Sequence, residues 1–324
     1  MSDKMLFTMD ANGIATGQAF LESELEKRDN LIKTPLTSFT YGRDVVVRVG
    51  GGWNEFVSSF SVSYGVAGGS DEGVIAAPGS NGIPMLQANF DKDVFKTHVV
   101  NIGTSMKWVD VQRGNATGRN LDRWLTEGVR LVYDKHMNTN VYTGFSGFGT
   151  TGLLNNANVA RYTADNGAGG TPDWASKTAA EILFDINKAL VTAHASAGND
   201  PDALGNHILI PWAQYGLLAT TPVSAAGSLS ILDYLMNNNY ASKQGESVFI
   251  GGCTECAGIG TGSTDRMIVY CNKEKYVAVD ECSPLNRAMT SQNAATFSYD
   301  TAYAANVSEL EFFAPETAVY VDGI

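Results

Sequence analysis

Apolar and polar residues alternate cleanly over residues 56–64 (FVSSFSVSY). Phe56, Phe60, Val62 and Tyr64 fall on one side of a strand and Ser59, Ser61 and Ser63 on the other. Residues 45–49 (VVVRV) predict a second strand, and extended chain follows at 84–90 and 97–111, ending in Met106, Trp108 and Val111. Helical spacing takes over at 119–140, where Leu121, Leu125, Val129, Val132 and His136 recur at steps of four and three. Trp124 and Leu131 widen that apolar stripe, Asn120 can cap its start, and Asp122 suits the first turn. About 20 residues of helix span about 30 Å, the width of a small domain.

Around this strut the pattern predicts smaller pieces. Residues 18–33 form a short amphipathic helix carrying Leu21, Leu25 and Ile32, ended by Pro35. Residues 65–82 are saturated with Gly, Ser and Asn and read as a long loop or hairpin tip. A second helix over 176–197 carries Ile182, Leu183, Ile186 and Leu190, and 207–212 (HILIPW) is a buried strand. A short helix at 228–238 precedes strands at 247–251, 266–272 and 275–280, the last two spaced as a hairpin. The tail, 286–324, reads as one long extended return.

Composition shifts the picture from a free monomer toward an assembled one. Of 324 residues, 44% are hydrophobic and only 17% charged, with Gly at 34 and Pro at 9. A surface rich in Asn, Ser, Thr and Gly can be covered by partners without stranding charges. The net charge of −12, with no basic cluster, argues against a dedicated nucleic-acid binder. The opening MSDKMLFTMDANG holds no apolar run of signal-peptide length, and no window approaches a membrane span. Four cysteines crowd the last third instead of forming a disulfide framework. Synthesis in a reducing cytoplasm is therefore expected, with a secreted β-rich protein as the alternative.

Candidate chemistry adds little. Gly147-Phe-Gly149-Thr-Thr-Gly152 has G-x-G-x-x-G spacing, but a helix precedes it where a dinucleotide site needs a strand, so it is expected to be a turn. Cys253-Thr-Glu-Cys256 with Cys271 and Cys282 could grip zinc, yet the latter two stand alone on predicted strands, where free Cys packs as a small apolar residue. His98, His136, His194 and His207 are scattered and form no catalytic or metal motif. No catalytic residue, cofactor site or metal site is expected.

The order of elements and four segments carry a resemblance. FLESELEKRDNLIKTPLTSFTYGRDVVVRV (20–49), GIPMLQANFDKDVFKTHVVNIGTSMKWVDVQRG (82–114), LDRWLTEGVRLVYDKHMNTNVYTG (121–144) and GTTGLLNNANV (149–159) resemble tailed-bacteriophage major capsid proteins, whose HK-97-type fold encapsulin shells share. The resemblance implies an α+β fold with an N-arm at 1–49 and an extended loop at 50–82. It further implies a peripheral domain with a long spine helix at 83–145 and 286–324, and an axial domain at 146–285. Implied also is a homo-oligomer: hexamers and pentamers closing an icosahedral shell around non-specifically held double-stranded DNA, assembled in the bacterial cytoplasm without a membrane. Scaffolding, portal and decoration proteins are the implied helpers, and an encapsulin-like compartment is the alternative. Assembly contacts are expected at Phe20, Leu21 and Leu25 of the N-arm and at Trp53, Phe56, Phe60 and Tyr64 of the loop.

Overall fold

The computed structural model describes residues 39–67, 85–116, 121–224, 227 and 229–324. Phe20, Leu21, Leu25 and most of the Gly-rich loop expected at 65–82 lie outside these residues. Three sheets and one long helix organise the rest.

The first sheet has four antiparallel strands in the order β2-β3-β10-β9: Phe56–Ala67, Met85–Lys107, Ser298–Ser308 and Ser283–Asn293. Only β10, flanked on both edges, is largely buried. The second sheet orders β1 (Val46–Val49), β8 (Val277–Glu281) and β11 (Glu311–Phe312). The third runs β4-β12-β7-β5-β6: Ala160–Thr163, Val319–Asp322, Arg266–Tyr270, His207–Ile210 and Phe249–Gly252. Its inner strands MIVY and HILI are continuous apolar runs because both faces are covered.

Helix α1 (Tyr41–Asp44) is a single turn before β1. Helix α2 covers Trp108–Ala116, and the strut helix α3 covers Leu121–Tyr142. Helix α4 (Ala179–Ser196) opens on a capping box in which Thr178 and Glu181 satisfy each other's backbone N–H. It buries Ile182, Ile186, Ala189, Leu190 and Ala193 on the third sheet. Three short helices, α5 (Trp212–Thr220), α6 (Ile231–Asn237) and α7 (Tyr240–Lys243), complete that unit.

Four expectations need correction. The extended run at 97–111 stops at Lys107, where pairing with β10 ends at Ser298, and Trp108 turns into α2. Residues 266–280 are not a hairpin: β12 and β5 take both edges of β7, so β8 pairs with β1 and β11 instead. The tail is not one strand, since β9 and β10 reverse on each other and β12, buried on every residue, sits between β4 and β7. Its last strand thus joins the sheet built from 160–270, across the boundary expected for 286–324. Finally, α3 buries Val129, Tyr133, Met137 and Val141, not the Val132–His136 line. Tyr and Met fill the core gap against Val277, Val279 and Val307, and Val132 is left half exposed.

Candidate assembly surface

Strands β2 and β3 pair in unbroken register from Phe56↔Lys96 to Ala67↔Met85. The twofold period gives this ribbon two unlike faces. One face carries Phe56, Phe60, Val62, Tyr64 and Val66, opposite Lys96, Lys92, Phe90, Ala88 and Leu86, with Val94 opposite Ser58. The other pairs Ser59, Ser61 and Ser63 with Asp93, Asp91 and Asn89. A protein that folded for itself alone would turn the first face inward. Instead Phe60 is 68%, Tyr64 70% and Phe90 75% exposed. The Lys92 ammonium, 5.7 Å from the Phe60 ring, partly screens it. Trp53, just before the ribbon, is also exposed. The structure therefore brings Phe56, Phe60 and Tyr64 onto one open face.

The root of this arm is held firmly. Gly50, Gly51 and Gly52 all adopt positive φ (135°, 111° and 78°), which residues with a Cβ rarely do. Gly50 N–H donates to Glu281 O at 3.1 Å and Gly52 N–H to Cys282 O at 2.8 Å. The fully buried Asn306 donates through Nδ2 to Gly52 O and Asn54 O, at 3.1 and 2.9 Å. Arg48, on the preceding strand, donates through Nε to Asp280 at 2.5 Å and through Nη2 to the fully buried Glu311. A cleft of about 810 Å³ lies alongside, lined by Arg48, Phe60, Asp93, Lys275, Tyr276 and Phe313 among others.

A second anchor fixes the chain just upstream. Asp44 is fully buried. Its carboxylate accepts from Arg43 Nε at 2.6 Å, Arg43 Nη2 at 2.8 Å, His207 Nε2 at 3.3 Å and the Tyr142 hydroxyl. Burial alone would raise this carboxyl, but bonds from His207, Arg43 and Tyr142 outweigh it and hold it below its ordinary range. This clamp ties α1 to both α3 and β5.

The other candidate residues serve the fold. Gly149 takes positive φ (73°) after a 3₁₀ turn at Ser146–Phe148. A Cβ on Gly152 would meet the Tyr142 carbonyl carbon at 2.4 Å, so the G-x-G-x-x-G spacing marks a turn packed on the end of α3. All four cysteines are free and buried. Cys253 Sγ donates to Glu255 at 3.3 Å and Cys271 Sγ to Asp202 O at 3.6 Å. Burial pushes the Cys271 thiol up to about 11. Among the described residues, no three or more His, Cys, Asp or Glu side chains gather as metal ligands. His136 stacks on Phe145 at 4.4 Å and His98 packs on Phe148 at 5.1 Å. No described helix is long and apolar enough to cross a membrane.

A family model described as major capsid protein matches residues 72–324. The chain belongs to the major capsid protein family. Solved structures agree on the fold of this capsid protein. The capsid of Myoviridae phage XM1 superposes with a TM-score of 0.77 at 17% identity, covering 93% of this chain and 98% of that one. The capsid of a native GTA particle gives 0.63 at 10% identity, over 97% and 99%. Gordonia phage Cozz gives 0.57 at 12% identity, over 99% and 97%. No curated protein matches the sequence. The capsid protein is thus a structural subunit of a virion capsid with an α+β fold of the HK-97 type, and not an enzyme.

Sequence alternation located the exposed face of the capsid protein but could not show that it stays open. The Arg48–Asp280–Glu311 group was missed because its members come from three strands far apart in sequence. Glu311 sits in the apolar run LEFFAP, and a carboxylate there was the one available signal.

Proposed function

We propose that the protein assembles through its arm into hexameric and pentameric capsomers of an icosahedral phage head. The open apolar face of the β2–β3 ribbon carries this reading. Laid over a neighbouring copy, Phe56, Phe60, Tyr64 and Phe90 leave water, and the polar face with Asp91 and Asp93 stays wet. Such contacts are heterologous, each copy giving an arm and receiving one, and rotation closes them into rings. Residues 1–49 act as the N-arm and 50–82 as the extended loop. Residues 83–145 with most of 286–324 form the peripheral domain, and 146–285 with the final strand form the axial domain. Rotation of one domain against the other accompanies maturation.

Net charge of −12 suits a wall that encloses double-stranded DNA without gripping it. Scaffolding, portal and decoration proteins assist assembly in the host cytoplasm. An encapsulin-like compartment uses the same contacts and differs in contents. Nuclease treatment of purified particles separates the two. Protected DNA of uniform length is the expected result, and particles holding only a cargo protein overturn the phage-head reading.

A further inference from the structure

Glu311 is fully buried, yet its Oε1 has no hydrogen-bond partner among the described residues. Its Oε2 accepts from Arg48 Nη2, while Arg48 Nε is already committed to Asp280 at 2.5 Å. One guanidinium therefore serves two carboxylates. Among the described residues the groups facing them are Arg48 from β1, Asp280 from β8, the Cys282 thiol just beyond it, and the Ser308 hydroxyl from the end of β10. Glu281, next in sequence to Asp280, accepts instead from the Tyr133 hydroxyl of α3 at 2.7 Å. A buried cluster with one uncompensated negative charge is costly, and one proton on the orphaned oxygen neutralises it. Solvent reaches the cluster through Arg48, one-third exposed in the cleft beside the arm.

The position of the cluster gives this consequence. Two residues after Arg48 the chain enters Gly50–Gly52, the root of the arm, where the Gly50 and Gly52 amides bond to Glu281 O and Cys282 O immediately after Asp280. Among the described residues, strand β1 lies on an edge of its sheet and pairs only with β8.

We propose that Arg48, Asp280 and Glu311 form a proton-linked latch that fixes the root of the arm when Glu311 is protonated and loosens it when Glu311 is ionised. This rests on the arm reading above and adds its regulation. Burial, then the Asp280 charge, raises the Glu311 carboxyl to about 7 against the opposing pull of Arg48 and of the Ser308 hydroxyl. Because this value lies above the ordinary one of 4.5, the closed root holds the proton more tightly than the open one. Closure is therefore strongest in acid and is lost as pH rises toward 7, with no further change well above it. With the ordinary value restored on opening, the opening equilibrium rises about seventyfold from pH 5 to pH 8.

The test is hydrogen exchange by mass spectrometry over residues 46–52 of the full, unassembled chain from pH 5 to pH 8, each rate divided by its intrinsic rate. The wild-type profile is expected to climb by that factor and the Glu311→Gln profile to stay flat. Asp280→Asn, which leaves Arg48 to Glu311 alone, is expected to move the midpoint to lower pH. Superimposable wild-type and Glu311→Gln profiles overturn the latch. Should Glu311→Gln fail to fold, an Asp280→Asn midpoint equal to wild type overturns it instead. Shell formation is scored separately by electron microscopy, so loss of the latch and loss of the arm's role in assembly are read from different experiments.

Discussion

Replacing Phe60 and Phe90 together by Ala should disable assembly while sparing the subunit. Full burial of a Phe side chain contributes about 1.5–3 kcal/mol. With 68% and 75% of these two residues exposed in the isolated chain, each has about 1–2 kcal/mol left to gain against a neighbour. The double variant should then lose about 2–4 kcal/mol per arm contact, or about 30- to 1000-fold in association constant. Inside the described part of the subunit the losses are cross-strand contacts, Phe90 opposite Val62 and Lys92 over the Phe60 ring, worth about 0.2–1 kcal/mol each. The threshold concentration for particle formation, followed by light scattering, should rise accordingly while thermal unfolding shifts little. The control is Ser61→Ala with Asp91→Ala, directly opposed on the polar face. An unchanged threshold in the Phe variant, or an equal rise in the control, would show that the apolar face is not what neighbouring copies bury.

Asp44→Ala removes the buried carboxylate that accepts from Arg43, His207 and Tyr142, leaving Arg43 only the Gly252 carbonyl and Tyr142 only the Thr40 hydroxyl, and should cost about 3–5 kcal/mol in chemical denaturation. The folded-state Asp44 carboxyl lies below its ordinary value, so its contribution is present above pH about 4 and lost below. Asp44→Asn should therefore flatten the acid limb of a stability–pH curve. Gly152→Ala forces a methyl group to within 2.4 Å of the Tyr142 backbone and should abolish soluble expression or lower the melting temperature sharply, whereas Gly147→Ala, with open space around it, should be silent. The four buried thiols should react with an aromatic disulfide reagent only on unfolding, since the thiolate is the attacking species and burial disfavours it. Rapid titration of any of them in the native protein would contradict their placement.

Much of the fold was legible wherever one residue period dominated. Alternation placed β2, and helical spacing placed α3 and α4, because each is long enough for its pattern to stand out. The MIVY and HILI runs were legible as strands but not as neighbours, since uniform burial erases the face information that would fix their order. The false hairpin at 266–280 came from proximity in sequence, which says nothing of edges already taken by β12 and β5. The stripe on α3 was misplaced because a period counted on aliphatic residues runs through Val132, whereas the buried line continues from Val129 through Tyr133 and Met137 to Val141. On the proposed assembly face, Phe56, Phe60 and Tyr64 were visible as one side of a strand, while Phe90 and Val94 joined it only through the register with β3. The Glu311 cluster depends wholly on tertiary approach and left no periodic trace.

In the closed shell the open face of the β2–β3 ribbon is expected to be covered by a neighbouring copy. Electron cryomicroscopy of particles assembled from the full chain measures this directly. Closed shells are expected in which Phe60, Tyr64 and Phe90 lie against an adjacent subunit and Asp91 and Asp93 face solvent. Closed shells with those aromatic side chains still open to water would contradict it.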